Sequence, residues 1–322
     1  MTLSGYFRTL TLAAAMAASV LPADAEAKYV FYFIGDGMGM GHVNTAETYN
    51  RDVLHSDKPL LMLTFPVASQ ARTYSASSPI TDSAAAGTAL SAGVKTNNAM
   101  VGMSPDTLDV ESIAARFMRS GRAVGVLTSV AGDDATPAAF YAHAPERGMK
   151  ERISGYAPQS GITFLGAARF RGMTDRDGKP SDWLERMKKA GYTLVHSEKE
   201  YINLHKKGGK VLMLSDAPVG DQIGYTLDYA GTGLTLQEMT RTGLQAVSGD
   251  PDGFFMMIEG GNIDWAAHAN DGASVIKEVL NFQNAIDVAY RFYEQHPDET
   301  LIVITADHDT GGMALGRQDN QK

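Results

Sequence analysis

Carboxylate and imidazole side chains follow three separate apolar runs of the sequence. Asp36 comes after VFYFIG, Glu259 ends GFFMMIE, and the pair Asp307 and His308 ends TLIVITADH. These side chains bind divalent metal ions through oxygen and nitrogen. The chain contains no cysteine, so disulfides and thiolate metal sites are excluded, and any metal must have oxygen and imidazole ligands.

The glycine-rich stretch VFYFIGDGMGMG raises the alternative of a nucleotide-phosphate loop. The dinucleotide fingerprint needs a third glycine, but that position holds Met40 or His42 in the two reading frames. The Asp36 carboxylate would also repel a phosphate. Taken alone, this aspartate is most simply a helix cap. Because ligands gather at the carboxyl ends of parallel strands, three strand ends with metal-type side chains favour a metal ligand instead.

Two residue pairs could hold a metal ion. EGGNIDWAAHAND places Asp264 and His268 four residues apart, which puts both on one face of a helix. In isolation such a pair is more often a surface ion pair. Asp307 and His308 are adjacent, and beyond the end of a strand both side chains can turn toward one metal. The position of each pair after a predicted strand favours metal binding.

A polar cluster opens the alanine-rich segment TDSAAAGTALSAG. Thr81, Asp82 and Ser83 could simply cap the helix that follows. Alternatively, Ser83 is a nucleophile at a helix N-terminus, where backbone amides and the helix dipole favour an anionic oxygen. The G-x-S-x-G elbow is absent, so a metal would have to activate this serine.

The segment GDDATPAAFYAHAPERG supplies Asp134, Thr136 and Arg147. An arginine offers a planar fork that can bind two phosphoryl oxygens at once. Most arginines in polar loops are only solvated, so this role depends on the other residues.

The order of predicted elements places these residues in an α/β fold. Apolar runs predict strands at 28–34, 122–130, 210–216, 253–259 and 300–307. Helical patterns occupy 82–93, 109–121 and 273–296. This alternation predicts a mostly parallel central sheet with helices on both faces. The more polar residues 146–210 are expected to form an insertion with short elements of its own.

The first 27 residues are predicted to be a signal peptide. Arg8 precedes the apolar segment LTLAAAMAASVL, and small residues suited to cleavage after Ala25 or Ala27 follow it. This segment is too short to span a membrane. We therefore expect an exported protein, either periplasmic or secreted. The net charge of -9 argues against nucleic acid as a partner.

Five motifs in order carry a family resemblance. FIGDGMG, TDSAAAGTALSAGVKT, DATPAAFYAH, EGGNIDWAAHAND and TADHDTGG resemble the alkaline phosphatase family, at similar spacing. The match runs from about residue 28 to residue 312 within a catalytic domain at 28–322. The resemblance implies an alkaline phosphatase-like fold, two zinc ions and one magnesium ion.

The resemblance also implies a role for each matching residue. Ser83 would be the phosphorylated nucleophile and Arg147 the phosphate clamp. The implied metal ligands are Asp264 and His268 for the first zinc, Asp307 and His308 for the second zinc, Thr136 and Glu259 for the magnesium, and Asp36 between the second zinc and the magnesium. Asp134 would lie near the water shell of the magnesium.

The chain departs from the family pattern near its end. Family members hold the first zinc with a further histidine well downstream of the TADH motif, whereas the last histidine here is His308. We therefore expect a C-terminally truncated version of a longer enzyme, with the first zinc held only by Asp264 and His268.

The function expected from the resemblance is hydrolysis of phosphate monoesters through a phosphoserine. The alternatives are an inactive or weakly active phosphate- and metal-binding fragment, and a phosphodiesterase on the same scaffold. The expected partners are small phosphorylated substrates, and the sequence leaves a homodimer open.

Overall fold

The structure is a computed structural model that describes residues 27–204, 208–228 and 233–316. The predicted signal peptide lies outside the described residues except for Ala27. None of the described helices is long and apolar enough to cross a bilayer.

One parallel sheet of seven strands organises the described part of the chain. The strands are β1 (Tyr29–Gly35), β2 (Ala123–Thr128), β3 (Phe164–Ala167), β4 (Tyr192–Val195), β5 (Lys210–Leu214), β6 (Phe254–Gly260) and β7 (Thr300–Ala306). Their order across the sheet is β4-β5-β3-β2-β6-β1-β7, and the six pairings between neighbouring strands are all parallel. The predicted α/β class and the five predicted strands are therefore confirmed.

Helices connect these strands. They are α1 (Met40–Asp52), α2 (Ser83–Ala92), α3 (Ile113–Arg119), α4 (Ala135–Ala138), α5 (Lys150–Tyr156), α6 (Trp183–Lys189), α7 (Glu198–Ile202), α8 (Leu236–Val247), α9 (Gly261–His268) and α10 (Gly272–Tyr293). The three helices predicted from sequence correspond to α2, α3 and α10.

Helices pack against both faces of the sheet, and its central strands β2 and β6 are buried on both sides. Side chains alternate along a strand, so Phe31 and Phe33 of β1 enter one core with Phe282 of α10, whereas Val30 and Ile34 enter the other core. Burying one such side chain contributes roughly 1.5–3 kcal/mol. Coverage of both faces explains why the central strands read as continuous apolar runs rather than as alternating patterns.

Two strands within the segment 146–210 belong to this sheet. It contains α5, α6 and α7 together with β3 and β4. β3 lies between β2 and β5, and β4 pairs with β5 at one edge. The short elements expected here are therefore part of the central sheet rather than an addition to it.

Candidate active site

The carboxyl ends of three neighbouring strands lie side by side. β1 lies between β6 and β7, with Ile34 in register with Glu259 and Gly35 in register with Ala306. Asp36 and Asp307 each follow their strand directly, so the three carboxylates reach the same edge. The sequence predicted this convergence from the order of the apolar runs.

Asp36, Asp307 and His308 form a compact group of potential metal ligands. One ligand atom from each lies within 4.8 Å of the others. His308 Nε2 is 3.4 Å from Asp36 Oδ1 and 3.3 Å from Asp307 Oδ2. Asp307 Oδ2 is buried and has no hydrogen-bond partner, so a cation would satisfy it. Two carboxylates and an imidazole suit zinc.

Gly37 brings the backbone into close contact with these side chains. Its N–H donates to Asp307 Oδ1 at 3.0 Å, which fixes the orientation of that carboxylate. Its φ of +63° lies in the left-handed region, and a Cβ here would meet Asp264 Oδ1 at 2.7 Å. The glycine after Asp36 is therefore required by close approach and not by phosphate binding.

Ser83 begins α2 and points toward the same group. Asp82 caps the helix by accepting the N–H of Ala85 at 3.0 Å, so the capping role belongs to the aspartate. The Ser83 hydroxyl lies 3.1 Å from His308 Nε2 and 3.5 Å from Asp36 Oδ1. The serine is thus free of the cap and lies beside the potential ligands.

A second pair lies next to the compact group. Asp264 and His268 both belong to α9, and His268 Nε2 is 3.5 Å from Asp264 Oδ1. Thr310 donates to Asp264 Oδ1 at 2.5 Å and lies 3.2 Å from His308 Nδ1, so it connects the pair to the first group. The sequence reasoning missed Thr310, although it lies within the TADHDTGG motif, two residues after His308.

Thr136 and Glu259 leave two buried oxygens without hydrogen-bond partners. These atoms are Thr136 Oγ1 and Glu259 Oε1, on α4 and β6. The other Glu259 oxygen accepts a short hydrogen bond from Thr128, which the sequence reasoning also missed. Oxygen ligands alone suit magnesium, so these residues fit the ion that the family resemblance implies.

Burial of so many carboxylates disfavours their charged forms. Burial raises the pKa of Asp36 well above its usual value, and Asp307, Asp264, Glu259 and Asp134 add to the effect. Burial likewise raises the pKa of Glu259 to about 8, against the hydrogen bond from Thr128. The pKa of Asp307 is raised by burial although His308 opposes the shift. Such an array of acids is stabilised when cations bind it.

Arg147 lies at the rim of this site, in a cleft of about 600 Å³. The cleft is also lined by Asp134, Lys150, Arg171, Trp265 and His268. Arg147 Nη1 is 3.3 Å from Asp82 Oδ2 and its Nη2 is 3.5 Å from Asp134 Oδ1. The guanidinium is therefore held at the start of α2, close to Ser83.

Two further cations surround Asp134. Arg171 Nη1 lies 3.3 Å and Lys150 Nζ 3.4 Å from its Oδ1 atom. Burial alone would raise the pKa of Asp134, but Arg171, Lys150 and Arg147 hold it well below its usual value. No pattern in the sequence pointed to Arg171, because its position depends on the course of the chain after β3.

Comparison with known proteins identifies the family. The model of the family described as "Alkaline phosphatase" matches residues 27–170 and 163–321. Alkaline phosphatase 3 of Bacillus subtilis is 33% identical over 299 residues, which cover 90% of this chain and 63% of that protein. Alkaline phosphatase of Schizosaccharomyces pombe is 31% identical, over 92% of this chain and 58% of that protein.

Solved structures show the same relationship. Alkaline phosphatase from the Antarctic bacterium TAB5 superposes with a TM-score of 0.80 at 28% identity, covering 92% of this chain and 83% of that one. Alkaline phosphatase of Thermus thermophilus gives 0.80 at 26% identity, covering 89% and 60%. The chain spans less than two thirds of the length of the Bacillus and Schizosaccharomyces relatives that it matches. On the match of the family model over nearly its whole length, this chain belongs to the alkaline phosphatase family.

Proposed function

We propose that this chain hydrolyses phosphate monoesters and that Ser83 carries the phosphoryl group between two transfer steps. The observation that supports this most directly is the position of Ser83. A serine at the start of a helix lies 3.1 Å from an imidazole that is itself grouped with two buried carboxylates. No capping hydrogen bond occupies this hydroxyl, because Asp82 makes the cap.

The donor set fits one zinc ion and one magnesium ion, and it supplies two of the ligands of a second zinc ion. Asp36, Asp307 and His308 would hold one zinc, and Asp264 and His268 would contribute to the other. Thr136 and Glu259 would hold magnesium together with Asp36. A variant of the TAB5 enzyme has been described with magnesium bound in a site named M3, which supports magnesium as one of the ions. When bound, the ions would favour ionised oxygen nucleophiles and neutralise charge on the phosphoryl group.

Ser83 and Arg147 have different roles in the proposed transfer. Ser83 Oγ attacks phosphorus and forms the new P–O bond while the bond to the leaving oxygen breaks; the serine proton passes to solvent, and the leaving oxygen takes up a proton from solvent to become an alcohol. Arg147 binds two phosphoryl oxygens through its planar fork and keeps the group aligned with Ser83. Water then attacks the phosphoserine, which releases inorganic phosphate and restores the hydroxyl. Alignment and charge neutralisation are most of what phosphoryl transfer requires.

The proposed nucleophile can be tested by trapping. Protein supplied with zinc and magnesium would be mixed with a phosphate monoester, quenched in acid and digested for mass spectrometry. We expect phosphate on Ser83 and no labelled peptide in Ser83→Ala, with Ser91→Ala of the same helix as a matched control. Phosphate on another residue, or undiminished hydrolysis in Ser83→Ala, would contradict the proposal. A protein that binds metal and phosphate without turnover would support the inactive alternative.

Small phosphorylated molecules outside the cytoplasm are the proposed substrates. The basis is the N-terminal segment with its small residues before Lys28. N-terminal sequencing of the exported protein should start at Glu26 or Lys28, and an intact Met1 would contradict export by cleavage.

A further inference from the structure

Lys150 lies in the active-site cleft and has no role in the function proposed above. It is the first residue of α5, and its side chain is 28% exposed where it lines the cleft. Its Nζ atom is 3.4 Å from Asp134 Oδ1, the same oxygen that lies 3.5 Å from Arg147 Nη2. The ammonium and the guanidinium are therefore neighbours on one wall of the cleft.

Lys150 has fewer partners than the two arginines around Asp134. Arg171 also contacts Asp221, with Nε 2.6 Å from Oδ2, and Arg147 has its second carboxylate at the start of α2. For Lys150, Asp134 is the one ion-pair partner that the described residues provide. An ammonium carries three N–H donors. Two donors are therefore left for water or for a ligand in the cleft.

The environment of Lys150 favours an additional anion. Burial lowers the pKa of Lys150, and the opposing effect of Asp134 is reduced by repulsion from Arg171 and Arg147. A cation that has lost part of its hydration gains when a negative charge enters the same space. A phosphoryl group beside Arg147 would bring such a charge.

We propose that Lys150 is a second phosphate-binding residue, which acts with Arg147 to select doubly charged phosphoryl groups; this rests on the proposed phosphomonoesterase function. The guanidinium fork suits two oxygens of the group, and the ammonium is a compact point charge that can reach another. Monoesters and inorganic phosphate carry two negative charges near pH 8, whereas diesters carry one. Two cations on one wall therefore favour monoesters over diesters.

A role in holding Asp134 is the competing explanation. Arg171 Nη1 lies 3.3 Å from the same Oδ1 atom, so Asp134 keeps a cationic partner without Lys150. The two roles differ in what they affect. Loss of a phosphate ligand weakens phosphate binding, whereas displacement of Asp134 would first weaken the magnesium site proposed next to it.

Calorimetric titration with inorganic phosphate tests the proposal directly. The full chain would be loaded with zinc and magnesium at pH 8 and compared with Lys150→Gln, Lys150→Arg and Lys189→Gln. Lys189 is an exposed residue at the end of α6, so it is a matched control for the loss of one charge. We expect about tenfold weaker phosphate binding in Lys150→Gln, in line with one charge-assisted hydrogen bond. Lys150→Arg should stay within about threefold of the unmodified chain because the charge is kept.

Two further readouts separate the possible outcomes. Magnesium affinity should be the same in Lys150→Gln and in the unmodified chain, and the preference of kcat/KM for monoesters over diesters should fall in Lys150→Gln. Unchanged phosphate affinity in Lys150→Gln, with or without weaker magnesium binding, would overturn the proposal. Absence of monoester hydrolysis in the unmodified chain would refute the proposed function, while phosphate binding would still decide the role of Lys150.

Discussion

The guanidinium of Arg147 is held in place by two carboxylates. It lies between Asp82 and Asp134 and is 32% exposed toward the cleft. Burial alone would lower its pKa, but the two carboxylates raise it above the ordinary value. The group therefore keeps its charge throughout the accessible pH range and cannot exchange protons with a substrate.

Truncation of this residue should therefore affect phosphate binding and not acid–base behaviour. We expect Arg147→Ala to lower kcat/KM for monoesters by about 100-fold, since two charge-assisted hydrogen bonds to the phosphoryl group are lost. Inhibition by inorganic phosphate should weaken in parallel, and diester hydrolysis should change less. Steady-state kinetics with both ester types would measure this, with Arg176→Ala as an exposed control. A changed pH profile with unchanged phosphate inhibition would show that the clamp role is wrong.

Individual site residues differ in how far the sequence could predict them. Asp36, Glu259 and Asp307 end apolar strands, so their convergence followed from the parallel order of those strands. Thr310 and Arg171 carry no such signal, because short polar loops bring them to the site and loop geometry has no periodicity. In the folded chain Thr310 contacts Asp264, and Arg171 contacts Asp134.

The length of each strand determines whether the sequence predicts it. β1, β6 and β7 each have seven residues, and β2 and β5 have six and five. β3 and β4 have only four residues each, and β4 has two exposed residues at its centre. Such short stretches cannot be distinguished from loops by periodicity. The sequence therefore predicts an insertion here, whereas both strands pair in the central sheet.

The start of α2 combines helix capping with the support of Arg147. The Asp82 carboxylate accepts the N–H groups of Ala85 and Ala99, both at 3.0 Å, and contacts Arg147. Asp82→Ala would remove these interactions, and we expect it to lower the free energy of unfolding by about 1–2 kcal/mol. Asp82→Asn keeps one acceptor oxygen, which can still cap the helix through the N–H of Ala85, and should cost less.

Urea unfolding of these variants would test the capping argument. Ser112→Ala is a suitable comparison because Ser112 caps α3, accepts the N–H of Ala115 at 3.1 Å and does not line the cleft. It should be destabilised to a similar degree. A loss in Asp82→Asn as large as in Asp82→Ala would contradict the capping argument, because asparagine can still accept the N–H of Ala85.

The fold buries several carboxyl groups close together, which destabilises their charged forms. Asp36, Glu259 and Asp307 are nearly inaccessible to solvent and lie near Asp264 and Asp134. The pairing of β1 with β6 on one side and with β7 on the other holds these carboxylates close together. Stability of the metal-free protein should therefore depend on protonation of the cluster, whereas bound cations would replace the protons.

The direction of the pH effect follows from the raised pKa values. Glu259 titrates near 4.5 in the unfolded chain and at about 8 in the folded one, so between these values the folded state binds more protons. Asp36 and Asp307 are shifted in the same direction. Stability from this cluster is thus fully present below about pH 4.5 and is lost as the pH rises through 8.

Urea unfolding at two pH values would test this direction. In EDTA we expect the free energy of unfolding to be higher at pH 6 than at pH 8, by about a few kcal/mol at most. With zinc and magnesium the order should reverse, because the ions bind the ionised carboxylates. Glu259→Gln should flatten the dependence in EDTA, and a metal-free protein that is equally stable or more stable at pH 8 would contradict this account.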